Sequence, residues 1–259
     1  MLLRIVMSTA VALCTLSSMT SDSLAARVKA QPGPTACSTG RDKDYLDHTW
    51  FNTRMEFYVI RSSLPSQANT TRKENRFIQR VRDAATRWDF GSNWCDKDLF
   101  GGFNQEYKGD GGYSAADHRD EKSTVDFVDG TKCFEITAYG CATTRSDDDE
   151  VFNTKAGKME QAIESDIRMQ KFYDYYAGRD VYQPGKGQPC KYSLTNLIMH
   201  EMGHAVGLDD LYDNDPESET PEKNRDQVMG GGAGRCDIGR HHYLGRADYI
   251  MLRDLYTLK

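Results

Sequence analysis

One segment limits this chain's options more than any other. From Ser193 to Gly207 the residues Leu194, Leu197, Ile198, Met199, Met202, Ala205 and Val206 leave a helix apolar on most sides. A helix of that kind belongs inside a protein. Its polar exceptions are His200, Glu201 and His204, spaced as H-E-x-x-H. Positions i and i+4 share one helical face, so both imidazoles can converge on one metal ion. Neutral imidazole suits zinc, and a catalytic site keeps one position open for water. Zinc lowers the pKa of such a water to about 7. Glu201, next to the first ligand, is placed to take the water proton and return it to a leaving amine. The bland alternative is a buried helix with two incidental histidines.

Three further features weigh against the bland reading. Gly207 stands where the helix must end in a left-handed turn. The turned chain can bring Asp210, an oxygen donor that zinc accepts, back to the metal. Downstream, Val228-Met229-Gly230-Gly231-Gly232 forms a tight glycine-rich turn around a methionine.

On these residues the sequence resembles the metzincin zinc peptidases. The motif His200-Glu201-Met202-Gly203-His204-Ala205-Val206-Gly207-Leu208-Asp209-Asp210, followed by Met229, carries the resemblance. The common third ligand in that clan is His, and aspartate at this place resembles the snapalysin type, small secreted peptidases. The resemblance implies an α+β fold of two lobes. A twisted mixed sheet with helices stands above the cleft, and a smaller C-terminal lobe follows Gly207. It also implies that His200, His204 and Asp210 hold zinc, that Glu201 is catalytic, and that Met229 lies beneath the metal as the floor of a Met-turn. The substrates would be proteins or peptides. The motif resemblance covers roughly residues 193–232, and the order of elements fits more loosely over about 50–256. No tyrosine after the Met-turn is carried over as an oxyanion donor, and Tyr243 and Tyr249 read as packing residues.

Other ligand sets compete. Asp209 is adjacent to Asp210 but at the wrong distance from Gly207 by the family spacing. Glu217, Glu219 or Glu222 would suit a thermolysin-like third ligand, but that leaves Gly207 and Met229 unexplained. Asp209, Asp210, Asp213 and Asp215 make calcium possible near the site. Their spacing does not match an EF-hand loop, and a solvated acidic loop is the preferred reading. His48, His118, His241 and His242 read as surface or packing histidines. Outside the peptidases, a secreted binding or inhibitory protein could keep the metal as a staple, although a structural zinc is usually closed by four protein ligands. A non-peptidase zinc hydrolase also fits the motif, which fixes water activation and not the substrate.

The N-terminus reads as a secretory signal over residues 1–25. Arg4 supplies the positive flank, Ile5 to Leu16 a short apolar stretch, and Ser23-Leu24-Ala25 the small residues before cleavage. No later stretch has the roughly 18 continuous apolar residues of a membrane span. Cys14 leaves with the signal, and six cysteines remain: Cys37, Cys95, Cys133, Cys141, Cys190 and Cys236. An even set in an exported chain suggests disulfides. The pairs favoured are Cys133–Cys141, Cys190–Cys236 and Cys37–Cys95, with connectivity open. A sharper reading of Cys37, a propeptide thiolate on the metal, leaves an odd number of cysteines. The net charge of −6 argues against nucleic acid, which calls for a basic face. A monomer is expected.

Residues 26–44 read as a polar N-terminal extension or short propeptide, and 45–259 as the catalytic domain. Met55 to Ile60 looks like a strand. A helix follows, with Thr71 and Glu74 at capping-box spacing and Phe77, Ile78, Val81, Ala85 and Trp88 at helical intervals. Residues 123–128 and 133–137 look like strands joined by an Asp129-Gly130 hairpin turn. Asp147 to Glu150 reads as a solvated loop. The stretch from Met159 to Met169 is ambiguous: its first half could be helical, its second alternates like a strand. Residues 209–227 read as an acidic loop. A last helix spans about Arg246 to Tyr256.

Overall fold

Strands whose side chains are apolar on both faces pair in parallel and sit inside a protein. Met55, Phe57 and Val59 are fully buried, as are Val125, Ile167 and Met169. They belong to three neighbouring strands of one sheet. The computed structural model describes residues 45–50, 55–92, 105–111, 120–129, 139–178, 189, 191–211, 228–230 and 244–259. All of them fall within one compact unit, Ala36–Lys259.

The strands are β1 (His48–Thr49), β2 (Met55–Ile60), β3 (Gln105–Gly111), β4 (Ser123–Val128), β5 (Gly140–Asn153), β6 (Lys158–Gln170), β7 (Tyr175–Tyr176) and β8 (Tyr192–Ser193). The helices are α1 (Thr71–Ser92), α2 (Leu194–Ala205) and α3 (Arg246–Leu255). The main sheet runs β3–β2–β4–β6, all parallel, and β1 adds a short parallel pairing to β6. β5 pairs with β6 in the opposite sense, so the sheet is mixed. α1 packs along β3, α2 along β5 and β6, and the two helices pack on each other. Phe77, Val81, Ala84, Ala85 and Trp88 form the buried face of α1, and the Trp88 indole donates to Met199 O at 2.8 Å. No described helix is long and apolar enough to cross a membrane.

Several expectations change in detail. The ambiguous stretch is one strand, β6, from Lys158 to Gln170. Its buried acids look unlike a core strand, but neighbours satisfy them. Glu164 is ion-paired with Arg145 and accepts from the backbone N–H of Asp120 (2.7 Å) and Glu121 (2.6 Å). Glu121 itself adopts a left-handed φ of 59°. Asp166 accepts from Thr124 N (3.1 Å) and Oγ1 (2.6 Å). Asp147 to Glu150 is not a separate loop but part of β5. Between Asp147 and Val151 the register with β6 shifts, and residues 148–150 stay exposed. The cap of α1 is Thr70 rather than Thr71, its Oγ1 accepting from Lys73 N at 3.4 Å, while Glu74 pairs with Arg61.

β4 is engaged by parallel partners, β2 and β6, and residues 130–138, where its hairpin partner was expected, lie outside the described residues. Cys141 is disulfide-bonded. The other cysteines, and with them the three expected pairings, lie outside the described residues, as do the signal segment and residues 26–44.

Candidate metal centre

α2 begins where Ser193 Oγ accepts from Asn196 N at 3.4 Å. It stops at Gly207, whose φ of +102° suits a residue without a side chain. A Cβ there would also sit 2.3 Å from His48 O. Leu208 N then donates back to Gly203 O (3.0 Å), and the chain reverses toward the two histidines.

The reversal brings Asp210 into place. Its Oδ1 lies 3.2 Å from His200 Nε2 and 3.5 Å from His204 Nε2. The opposite ring nitrogens are already committed. His200 Nδ1 donates to Val228 O and His204 Nδ1 to Leu208 O, each at 3.0 Å. With Nδ1 committed in both rings, the two Nε2 atoms face one carboxylate oxygen. Two nitrogens and an oxygen thus converge on one point, a donor set that suits a cation. Two atoms each about 2.0–2.2 Å from a tetrahedral ion lie about 3.3–3.5 Å apart, close to the observed spacing. The His200-His204-Asp210 group can therefore hold a metal ion.

The electrostatics agree. Burial depresses the His200 pKa, but the Asp210 hydrogen bond and the charges of Glu201 and Asp210 outweigh it and raise it to about 9. His204 is lowered, by burial and then by the His200 charge. The pocket favours one positive charge and resists a second. Glu201 is 5 % exposed, and burial, opposed by His200, lifts its pKa to about 7. A carboxyl tuned near neutrality can both take and give a proton. The three side chains keep partial exposure, while Asp210 Oδ1 itself is buried.

Met229 is fully buried and lies against Gly203, the residue of α2 just before His204. A Cβ on Gly203 would come within 2.1 Å of Met229 Sδ. Val228 and Met229 are held by several hydrogen bonds. Val228 O holds His200, Met229 O accepts from Leu211 N (2.8 Å), and the Val228 and Met229 amides donate to Asp248 at 2.8 and 3.2 Å. Asp248 also caps α3 by accepting from Gly245 N at 2.7 Å.

All five expected residues, His200, Glu201, His204, Asp210 and Met229, thus lie together. Asp209 is not part of the group; its carboxylate accepts from Asp210 N at 2.8 Å. Glu217, Glu219, Glu222, Asp213, Asp215, His118, His241 and His242 lie outside the described residues. Tyr249 is a packing residue.

The sequence reading missed the supports. His48 is a packing residue, one of its two expected alternatives, and its Nε2 donates to His204 O at 3.1 Å, a support the sequence did not show. Burial lowers its pKa and keeps it neutral at pH 7. Trp50 Nε1 donates to Ala205 O (2.7 Å) and Tyr256 Oη to Val206 O (3.3 Å). These three side chains close the C-terminal carbonyls that any helix leaves open. Asp248 left a signal, an acid three residues after a glycine at a predicted helix start. The others left none. Compared with known proteins, the chain matches no family model and no curated sequence.

Proposed function

We propose that this chain is a secreted zinc endopeptidase of the metzincin type, with the aspartate-ligated centre that resembles the snapalysins. The observation that carries the reading is the convergence of His200 Nε2, His204 Nε2 and Asp210 Oδ1 beside the buried Glu201. Three nitrogen and oxygen donors, with no fourth protein ligand among the described residues, fit zinc in a catalytic rather than a structural site. The mixed sheet, the left-handed turn at Gly207 and the methionine under Gly203 support the finer reading.

His200, His204 and Asp210 would hold the metal. Bound zinc would polarise the scissile carbonyl and make hydroxide available near pH 7. Glu201 takes the proton of the attacking water and delivers it to the departing amine. The Val228 and Leu208 carbonyls fix both imidazoles in the ligating tautomer. Met229 holds the helix from below.

A peptide substrate is favoured by β5. This strand pairs with β6 on one side, and no described strand pairs with its other side. Its first residue, Gly140, lies so close to the centre that a Cβ there would be 3.0 Å from Glu201 Oε1. An extended peptide added to that edge would pass the carboxylate in a fixed register.

The test is zinc content and casein hydrolysis of the purified protein beside Asp210→Ala and Glu201→Gln. The expected result is one zinc and proteolysis for the wild type, loss of both in Asp210→Ala, and retained zinc with about a 10²–10⁴-fold slower turnover in Glu201→Gln. Zinc without cleavage of any peptide would favour a binding protein. Unchanged activity in Asp210→Ala would move the third ligand elsewhere.

A further inference from the structure

At the Gly140 end of β5 four aromatic rings meet at the rim of the core. Tyr139 and Tyr192 have ring centroids 4.7 Å apart, Tyr173 and Tyr192 4.9 Å, and Tyr139 and Tyr173 5.1 Å. Phe172 leans on Tyr173, with ring centroids 4.3 Å apart and planes tilted by 40°, and is 61 % exposed. The three tyrosines are only half-buried. Folding leaves this phenyl ring in water, although the core beneath takes in Tyr175, Phe77 and Phe127. Exposed apolar surface gathered at one place marks a site of contact with something else.

The backbone holds the rings in place. Gln67 bridges the segment, donating to Tyr173 O (2.8 Å) and accepting from Tyr175 N (3.1 Å). Tyr192 N donates to Asp174 O at 3.0 Å, and Gln170 N to Tyr139 O at 3.0 Å. Rings fixed before binding lose little entropy when they are covered. The cluster also adjoins the centre along the chain. Tyr139 directly precedes Gly140, the residue against Glu201, and Tyr192 directly precedes the cap of α2.

We infer that these rings form a subsite for a bulky apolar side chain, two or three residues to the C-terminal side of the cleaved bond. The inference rests on the peptidase reading and names the substrate class it selects. β5 runs away from Gly140, so a peptide pairing antiparallel to it runs toward Gly140 and on to the rings. Antiparallel pairing is the more stable kind. Each residue advances about 3.4 Å, so the second or third residue past the bond reaches the cluster. Side chains alternate between faces, so one of these two positions meets the rings.

The experiment is kcat/KM on a peptide set carrying Phe, Leu, Gly or Asp at the second and third residues after the cleaved bond. The wild type is expected to prefer Phe or Leu over Asp by about tenfold at one of the two positions, the factor that partial burial of such a side chain supplies. Phe172→Ala should remove most of that preference through KM, with kcat nearly unchanged. Leu258→Ala removes an apolar side chain of similar exposure elsewhere and should keep it. Anisotropy of the same peptides on the Glu201→Gln protein should rank them alike. The inference is overturned if the wild type shows no preference there, if Phe172→Ala keeps it, or if the selective position lies before the cleaved bond. Cleavage of no peptide at all overturns the peptidase reading instead, and zinc content with Asp210→Ala tells the two failures apart.

Discussion

Gly203 is one of the two free positions inside H-E-x-x-H, yet the space around it is full. An added methyl group would stand 2.1 Å from Met229 Sδ and 3.1 Å from Trp88 Cζ2. Overpacking of that kind costs about 1–3 kcal/mol. Gly203→Ala is therefore expected to lower Tm and zinc occupancy together, and adding Met229→Ala should recover part of the stability. A wild-type Tm for the single variant would disprove the close packing. The metal residues themselves were legible because their chemistry is local: a four-residue spacing, a glycine where the chain reverses, an aspartate three residues on. Gly203, His48 and Trp50 were not. Their constraint comes from atoms far away in sequence, Met229 for the first and the α2 carbonyls for the others.

Among the elements, β6 shows how a polar strand can occupy a core. Its alternation of Glu164, Asp166 and Arg168 with Ser165, Ile167 and Met169 suggested a strand for that half only. What completes it is the hydrogen bonding from β4 and β5, which no single segment reveals. Burial, helped by the Glu164 charge and opposed by the Thr124 hydrogen bonds, raises the Asp166 pKa to about 6 from its ordinary 3.8. The folded state therefore holds that proton more tightly than the unfolded one. The group's contribution is greatest below about pH 4 and is lost as pH rises toward about 6. Asp166→Asn removes this dependence and keeps an acceptor for Thr124. Its Tm relative to wild type should rise between pH 4 and pH 7, and a difference constant with pH would show that Asp166 is not buried as described. α2 and β2 were easier to read, since apolar density in one and strand formers in the other already agreed with their final burial.

For the whole molecule, a metal held by His200, His204 and Asp210 would tie together parts that the fold already brings close. α2 would supply two ligands and the chain beyond Gly207 the third, with Val228, Met229 and α3 bracing them through Asp248. A ligand bound only by the folded state stabilises it by mass action, by about 4 kcal/mol at a thousand times its dissociation constant. Chelation should thus lower Tm by several degrees and added zinc restore it, while Asp210→Ala should respond to neither. A wild-type Tm unmoved by chelator would contradict a metal shared by these elements. The mixed, mainly parallel sheet was foreseen as a class, but its strand order was not, because parallel neighbours are joined by long crossovers that carry no pairing signal in sequence.

The fastening of α2 has a consequence for how such a molecule is made. Its ligands occupy positions 200–210, but Asp248 and Tyr256, which hold the Met229 turn and the end of the helix, come later in the chain. A ribosome working toward the C-terminus delivers the metal-binding residues first and their braces afterwards. While the chain is still growing, the motif is present but its scaffold is incomplete. A centre of this design is therefore braced only once α3 has emerged and docked.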